Sequence, residues 1–317
     1  MENILVSFLI PVFNSESFLE RCIDSIKSVG FSEWEIIAVD DGSDDNSPDL
    51  LDNFSKEDHR IKVKHQNNHG ISYTRNECLK LAKGKYICFV DSDDWIDRNN
   101  FAELHKILIQ EAYDIVISPF VFIQDDTTKV LKGSSSVEIE KRSYLSGDWA
   151  TLWRICFLRE LAVTNLVSFP IGIDGGEDYY FCNVLMSLTG KIYYIDKPYY
   201  QYNYSNSNSF THVVSIERIN FQIQSTLLLI DKLGDNKLLA QNQQALNRRK
   251  FFSKVDLLRY DVHKWKETFP EVNRMYRKFL TGLPLLTFVL RLYNLGYISN
   301  IIENGITYIR RCRNYFA

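Results

Sequence analysis

The chain has 317 residues, 45% of them hydrophobic and 14% aromatic, with a formal net charge of −3. Those proportions exclude a disordered chain and supply the apolar material for two domains, or for one domain with a large appendage. The charge is uneven: residues 247–317 carry 14 Lys and Arg against 5 Asp and Glu, a net +9, and residues 1–246 carry 23 against 35, a net −12. An acidic body with a basic tail points to an anionic partner for the tail. The six cysteines, at positions 22, 78, 88, 156, 182 and 312, form no C-x-x-C pair. They fit reduced thiols of a cytosolic protein better than a disulfide framework or a zinc site.

The opening "MENILVSFLIPVFN" lacks a basic leader and is interrupted by proline, so it reads as a first core strand over 5–13 rather than a signal peptide. No stretch approaches the roughly 20 apolar residues that span a bilayer. Asn14 or Ser15 is expected to cap a helix whose apolar positions are Phe18, Leu19, Cys22, Ile23, Ile26 and Val29. "WEIIAVDDGS" is a second strand and its loop, Ser47-Pro48 starts a helix, and "IKVKH" is a third strand. A helix over 72–82 and the strand "YICFV" follow, then a helix from Asn99 or Asn100. "DIVISPFVFI" and "KVLKG" are expected to form a hairpin, and "SYLSGDWATLWRICFLREL" to contain an amphipathic helix. Beyond about residue 213 the spacing predicts helices over 215–233, 237–260 and 269–280.

Strand and helix alternate through the first 120 residues, which predicts a largely parallel sheet covered on both faces. Ligands bind such sheets beyond the carboxyl ends of the strands. Polar clusters fall there: Asn14, then Asp40 and Asp41, then Asp91-Ser92-Asp93-Asp94. If the chain stays extended through 91–93, Asp91 and Asp93 project to one side and offer hard oxygen ligands to Mg²⁺ or Mn²⁺. A solvated acidic turn is the plainer alternative. The 12-residue EF-hand pattern is absent, since neither acidic stretch has Gly at its sixth place or Glu at its twelfth. Asp40 or Asp41 can accept from a ribose hydroxyl or a base N–H, or else form an Asx turn. "GGEDYYF" places Glu177 and Asp178 where a carboxylate can act as general base, or sit at a helix start. Neither G-x-G-x-x-G nor G-x-x-x-x-G-K-[ST] is present.

With "LIPVFNSE", "IIAVDDGSDDNS", "NHGISYTRN", "YICFVDSDDW" and "GEDYYF" in this order, the chain resembles the family 2 glycosyltransferases over about residues 4–212. The resemblance implies the GT-A fold: α/β, Rossmann-like, a mostly parallel central sheet flanked by helices. Here a catalytic domain over 1–212 would precede a helical C-terminal extension over 213–317. It further implies an inverting transfer from a nucleotide sugar, a UDP-sugar above all. Pro11, Asn14, Glu16, Asp40 and Asp41 would hold the nucleotide, and Gly70 and Arg75 would lie near ribose and diphosphate. "DSDD" matches the family's D-x-D motif: Asp91, with Ser92, near ribose and metal, and Asp93 as principal ligand of Mg²⁺ or Mn²⁺. His212 is a further metal candidate. Asp178 matches the catalytic base, with Glu177 orienting a sugar. The Gln-x-x-Arg-Trp signature of processive members is missing, which implies one sugar per encounter.

The basic, aromatic tail, with Arg310, Arg311 and Arg313, fits the inner surface of the cell membrane beside a lipid-linked saccharide acceptor in bacterial surface polysaccharide synthesis. Packing on the catalytic core and a homodimer interface are the other readings of the tail. The expected location is cytoplasmic or peripheral to the membrane, and no nucleic-acid-binding motif accompanies the basic residues. A catalytically silent scaffold that binds nucleotide sugar is the alternative function.

Overall fold

A computed structural model describes residues 4–124, 127–131, 137–147, 151–205, 215–280, 282–293 and 299. The chain runs β1 (Val6–Val12), α1 (Leu19–Lys27), β2 (Trp34–Asp40), α2 (Ser47–Glu57), β3 (Ile61–His65), α3 (Ile71–Leu81) and β4 (Tyr86–Phe89). Next come β5 (Trp95–Ile96), α4 (Arg98–Leu108), β6 (Ile115–Ile117), β7 (Phe120–Gln124), β8 (Thr127–Leu131) and α5 (Val137–Ser146). After a 3₁₀ turn at Leu152–Arg154 follow β9 (Ile155–Leu158), α6 (Arg159–Thr164), α7 (Glu177–Ser187), β10 (Ile192–Tyr194) and β11 (Tyr200–Asn203). The remaining helices are α8 (Ile216–Leu233), α9 (Lys237–Gln241), α10 (Gln243–Lys254), α11 (Val262–Glu267), α12 (Tyr276–Phe279) and α13 (Gly282–Leu292).

The main sheet has the order β10-β6-β9-β4-β1-β2-β3, parallel throughout except at β9, which runs antiparallel to β4 and β6. Both faces are apolar because the strands are covered twice. Leu9, Ile37, Val39, Ile87 and Phe89 meet α3, α5 and α7 on one side. Phe8, Ile10, Ile36, Ala38 and Cys88 meet α1 and α4 on the other. A second sheet, β5-β11-β7-β8, stands beside it.

The topology opens a crevice between β1 and β4, because the chain crosses from β3 over β2 and β1 to reach β4. The β1–β4 ladder ends at Leu9 and Phe89, with one more bond from Val90 N–H to the Leu9 carbonyl. Pro11 follows and has no N–H to continue it. The two strands part there, and the loops carrying Asn14 and Asp91 leave on either side of the gap.

Several local expectations are corrected. No side chain caps α1: Ser15 receives Phe18 and Leu19 N–H on its carbonyl instead. Helix α4 begins earlier than expected and is capped by Asp97, whose carboxylate accepts from Asn100 N–H at 2.8 Å. "DIVISPFVFI" divides between the sheets, β6 joining the main sheet and only β7 pairing with β8. The described residues of 143–161 form the end of α5, the 3₁₀ turn, β9 and the start of α6, and hold no amphipathic helix within their bounds. The stretch 237–260 is broken into α9, α10 and a 3₁₀ turn, and 270–275 is also 3₁₀.

Helix α8 packs on α7 and α10, and α10 packs on α5. Leu229, Leu239 and Leu246 thereby join the apolar cluster under α7. A third cluster gathers Phe251, Leu257, Trp265, Val272 and Phe288. At its edge the Lys254 side chain is fully buried, with Nζ above the Trp265 ring. It donates to the carbonyls of Trp265 (3.0 Å), Phe269 (3.1 Å) and Thr268 and to Asn273 Oδ1. Lys254→Met should strand these oxygens, and one buried acceptor left unsatisfied costs about 1–3 kcal/mol. A lowered urea midpoint, with faster amide exchange across 254–273, checks this; an unchanged midpoint would contradict it. No helix among the described residues is long and apolar enough to cross a membrane.

Candidate active site

The β1–β4 crevice widens into an open cleft of about 1180 Å³ between the ends of the main-sheet strands, the second sheet and helices α7, α8 and α10. A single-ligand pocket measures roughly 300–1,000 Å³, so this cleft has room for two reactants. Its lining includes Pro11, Asn14, Asp41, Gly70, Arg75, Asp91, Ser92, Asp93, Glu177 and Asp178, which the sequence places far apart. Two expected residues do not line it. Asp40, on the opposite side of the chain from Asp41 by strand alternation, is 2% exposed, accepts Ser43 N–H and pairs with His65 Nδ1 at 3.0 Å. That bond raises the His65 pKa. Glu16 accepts Asn46 N–H at 2.9 Å outside the cleft, bracing the loop before α2. His212 lies outside the described residues, as do Arg310, Arg311 and Arg313.

The Asn14 loop and the Asp41 loop are tied together. Asn14 sits at φ 48°, a conformation asparagine tolerates better than most residues. Its N–H donates to Ser43 Oγ, and its Oδ1 accepts Asp44 N–H. Asp41 accepts from Gln66 Nε2 at 2.8 Å and from the backbone N–H groups of His69 and Gly70, both at 2.9 Å. It thus fixes the turn that starts α3. Gly70 is required there: φ is +85°, and a Cβ would lie 2.7 Å from Asp174 Oδ2.

The chain does not stay extended through the aspartates. Residues 92–93 turn, and Asp94 N–H reaches back to the Asp91 carbonyl at 3.0 Å. Asp94 is consequently buried, accepting from Tyr200 Oη at 2.6 Å and from Asn203 N–H at 2.7 Å. Tyr200 Oη in turn receives Asp91 N–H. Burial, with Asp93 and Asp91 nearby, pushes the Asp94 carboxyl well above the usual range. Asp91 and Asp93 are left on the cleft side of the turn, while Ser92 Oγ lies 2.7 Å from Ser15 Oγ. Among the described residues no group of three or more His, Cys, Asp or Glu could hold a metal ion by itself. Mg²⁺ and Mn²⁺ sites of the phosphate-binding kind need only one or two carboxylates, so this pair of hard oxygen donors fits such an ion.

Arg75, projecting from α3, joins the aspartate turn to the start of α7. Its Nη2 lies 3.3 Å from Asp91 Oδ1 and its Nη1 2.5 Å from Glu177 Oε1. Burial opposes the Arg75 charge, but Glu177, Asp91 and Asp178 outweigh it and raise the pKa. Glu177 also accepts Gly175 and Gly176 N–H at 2.7 and 2.9 Å, which closes the first turn of α7. Asp178 follows, opening on the cleft. Burial first and the Glu177 charge second push its carboxyl up to about 7, against the pull of Arg75. Asp91 is raised by burial too, with Arg75 opposing.

Several lining residues were missed by sequence reasoning. Asp174 precedes the two glycines and lines the cleft; an acid beside "GGED" was the available signal. Trp153, Phe120, Phe122, Tyr202 and Tyr204 form an aromatic wall, with Trp153 stacked on Tyr200 (4.4 Å) and Tyr202 (5.4 Å). Arg249 comes from α10. Tyr202 and Tyr204 fall in "YYQYNYSNSNSFTH", which resembles the family's loop beside the diphosphate; no motif announces Phe120, Phe122, Trp153 or Arg249, which strand and helix spacing alone could only mark as core.

A mostly parallel α/β sheet with an acidic turn at its switch point and a carboxylate pair at a facing helix start is the GT-A architecture. Residues 7–162 match the family described as Glycosyl transferase family 2, and the chain belongs to that family. It is 33% identical over 219 residues to a protein named Uncharacterized glycosyltransferase EpsJ, from Bacillus subtilis (strain 168), covering 66% of this chain and 63% of that one. It is 30% identical over 212 residues to Putative glycosyltransferase EpsH of the same organism, covering 64% and 61%. The chain thus spans about three-fifths of the length of these relatives. Its fold is similar to that of S. aureus TarS 1-349 in complex with UDP-GlcNAc, with a TM-score of 0.71 at 18% identity over 95% of this chain and 92% of that one.

Proposed function

We propose that this chain transfers one sugar from a nucleotide sugar, a UDP-sugar, to a saccharide hydroxyl by a single inverting displacement. The observation that carries the reading is the convergence, in one cleft large enough for two reactants, of the Asp91/Asp93 turn with Asp178 raised to a pKa near 7. The likeness in fold to TarS, solved with UDP-GlcNAc, supports the donor class.

The Asn14 loop, Pro11 and Asp41 border the nucleotide end of the cleft. Asp91 and Asp93 would hold a divalent ion, Mg²⁺ or Mn²⁺, which when bound supplies positive charge to the departing diphosphate. Arg75 balances Asp91 and Glu177 and so ties the aspartate turn to the first turn of α7. Asp178 takes the proton from the acceptor hydroxyl as that oxygen attacks the anomeric carbon. Inversion follows from attack opposite the leaving group, and an α-linked donor gives a β-glycoside. The basic C-terminal stretch would bring the enzyme to a lipid-linked acceptor at the membrane surface.

Asp93→Ala tests the donor side. Calorimetric titration with UDP and Mn²⁺ should show affinity at least about tenfold below wild type, as expected for a lost ligand to a bridging ion. Affinity without metal should be unchanged. Equal metal-dependent binding by the two proteins would remove Asp93 from the site.

A further inference from the structure

We propose that Arg249 anchors an anionic substituent, phosphate or carboxylate, on the sugar acceptor. The inference rests on the glycosyl-transfer reading above and extends it to the chemistry of the acceptor.

Arg249 is 8% exposed and lines the cleft. Its Nε donates to Thr226 Oγ1 at 3.1 Å, and its Nη2 to Ser225 Oγ at 3.2 Å and the Gln222 carbonyl at 3.4 Å. The guanidinium carbon lies 4.0 Å from the centre of the Tyr179 ring. All of these partners are neutral. Among the described residues no carboxylate lies within ion-pair distance of Arg249, and Nη1 makes no hydrogen bond. Gly147, also in the lining, passes so close that a Cβ there would sit 2.9 Å from Nη1. The side chain is therefore fixed in one pose, with one fork of its donors unspent.

Asp178 acts on the guanidinium only from beyond ion-pair distance, and burying a guanidinium without a paired counter-charge is costly unless an anion completes it. The position of Arg249 assigns that anion to the acceptor. Arg75 and the aspartate turn lie at the diphosphate end, and Arg75 is already paired with Asp91 and Glu177. Arg249 enters from another element, α10, and stacks on Tyr179, the residue after the Asp178 that on this reading meets the attacking hydroxyl. The aromatic wall of Trp153, Tyr202 and Tyr204 offers apolar faces on which a sugar ring can lie. The rest of the lining carries Asp41, Asp91, Asp93, Asp174, Glu177 and Asp178, which repel an anionic acceptor everywhere except beside a cation.

The full chain, saturated with UDP and Mg²⁺, is titrated calorimetrically with methyl β-glucoside, methyl β-glucuronide and glucose 6-phosphate. Wild type should bind one of the two anionic sugars about tenfold more tightly than the neutral one, the worth of one charge-assisted bond pair. The two anionic arms separate carboxylate from phosphate. Arg249→Gln should erase the preference and leave UDP affinity unchanged, and Arg249→Lys should keep part of it. Thr226→Val, which loosens the guanidinium without removing its charge, should weaken the preference in a folded protein. No preference in wild type, or a preference that survives Arg249→Gln, overturns the assignment. So does an equal loss of UDP affinity in Arg249→Gln, which would place the guanidinium at the donor. Failure of wild type to bind UDP at all overturns the glycosyl-transfer reading itself and takes this inference with it.

Discussion

Asp178→Asn is expected to lower the turnover number for sugar transfer by about 10²–10⁴-fold, the contribution of a positioned general base, while UDP affinity stays at the wild-type value. The amide keeps the shape of the carboxylate and cannot take a proton. Burial and Glu177 raise the Asp178 carboxyl to about 7 in the folded chain. A base must be ionised to act, so wild-type turnover should fall as pH drops through about 7. At one pH unit below its pKa roughly a tenth of the groups remain ionised. The same shift has a sign for stability. The folded pKa lies above the unfolded value, so the neutral form favours folding below about pH 4, and this contribution is lost as pH rises through 7. Asparagine is neutral at every pH. The variant should therefore melt above wild type at pH 8 and level with it near pH 4. Normal turnover in Asp178→Asn, or identical melting at pH 8, would refute the assignment of this carboxyl as the strained base.

The second large effect concerns folding. Arg75→Met should destabilise the chain by about 3–5 kcal/mol, the cost of removing one partner from a buried ion pair. Arg75 is 7% exposed, and the side chain of Glu177 is 9% exposed. Removing the guanidinium leaves Glu177 and Asp91 facing each other with Asp178 beside them. Adding Glu177→Gln to Arg75→Met should recover part of the loss, because one uncompensated charge disappears. Denaturant titration of the two single variants and the double variant gives the coupling directly. Additive losses would show that the pair does not interact and would remove Arg75 as the link between the aspartate turn and α7.

The parallel half of the fold was legible because its strands are apolar on both faces and its helices are amphipathic. Val6–Val12 and Trp34–Asp40 are buried along their whole length, and the helix after the first has a buried stripe of Leu19, Cys22, Ile23 and Ile26. The cleft residues that sit at strand ends were legible for the same reason: topology puts Asn14, Asp41 and Asp91 on one rim. Side-chain direction was less accessible. Adjacent Asp40 and Asp41 differ only in which side of the chain they leave, and that assigns one to His65 and the other to the cleft. The turn at 92–93 was hidden because its cause, Tyr200 O–H and Asn203 N–H donating to Asp94, lies more than a hundred residues away. Arg249 was invisible in the same sense. Within "LNRRKFF" nothing distinguishes the arginine that reaches the cleft from Arg248 before it.

Helix α10 carries both Arg249 and Lys254, five positions apart, one facing the cleft and one locked into the last apolar cluster. The reacting centre and the far end of the chain therefore share a single rigid rod. Exchanging the residues beyond 213 between relatives would exchange Arg218, Gln222 and Arg249 of the cleft lining along with the last apolar cluster. A chimaera built to alter that cluster alone would alter the cleft as well.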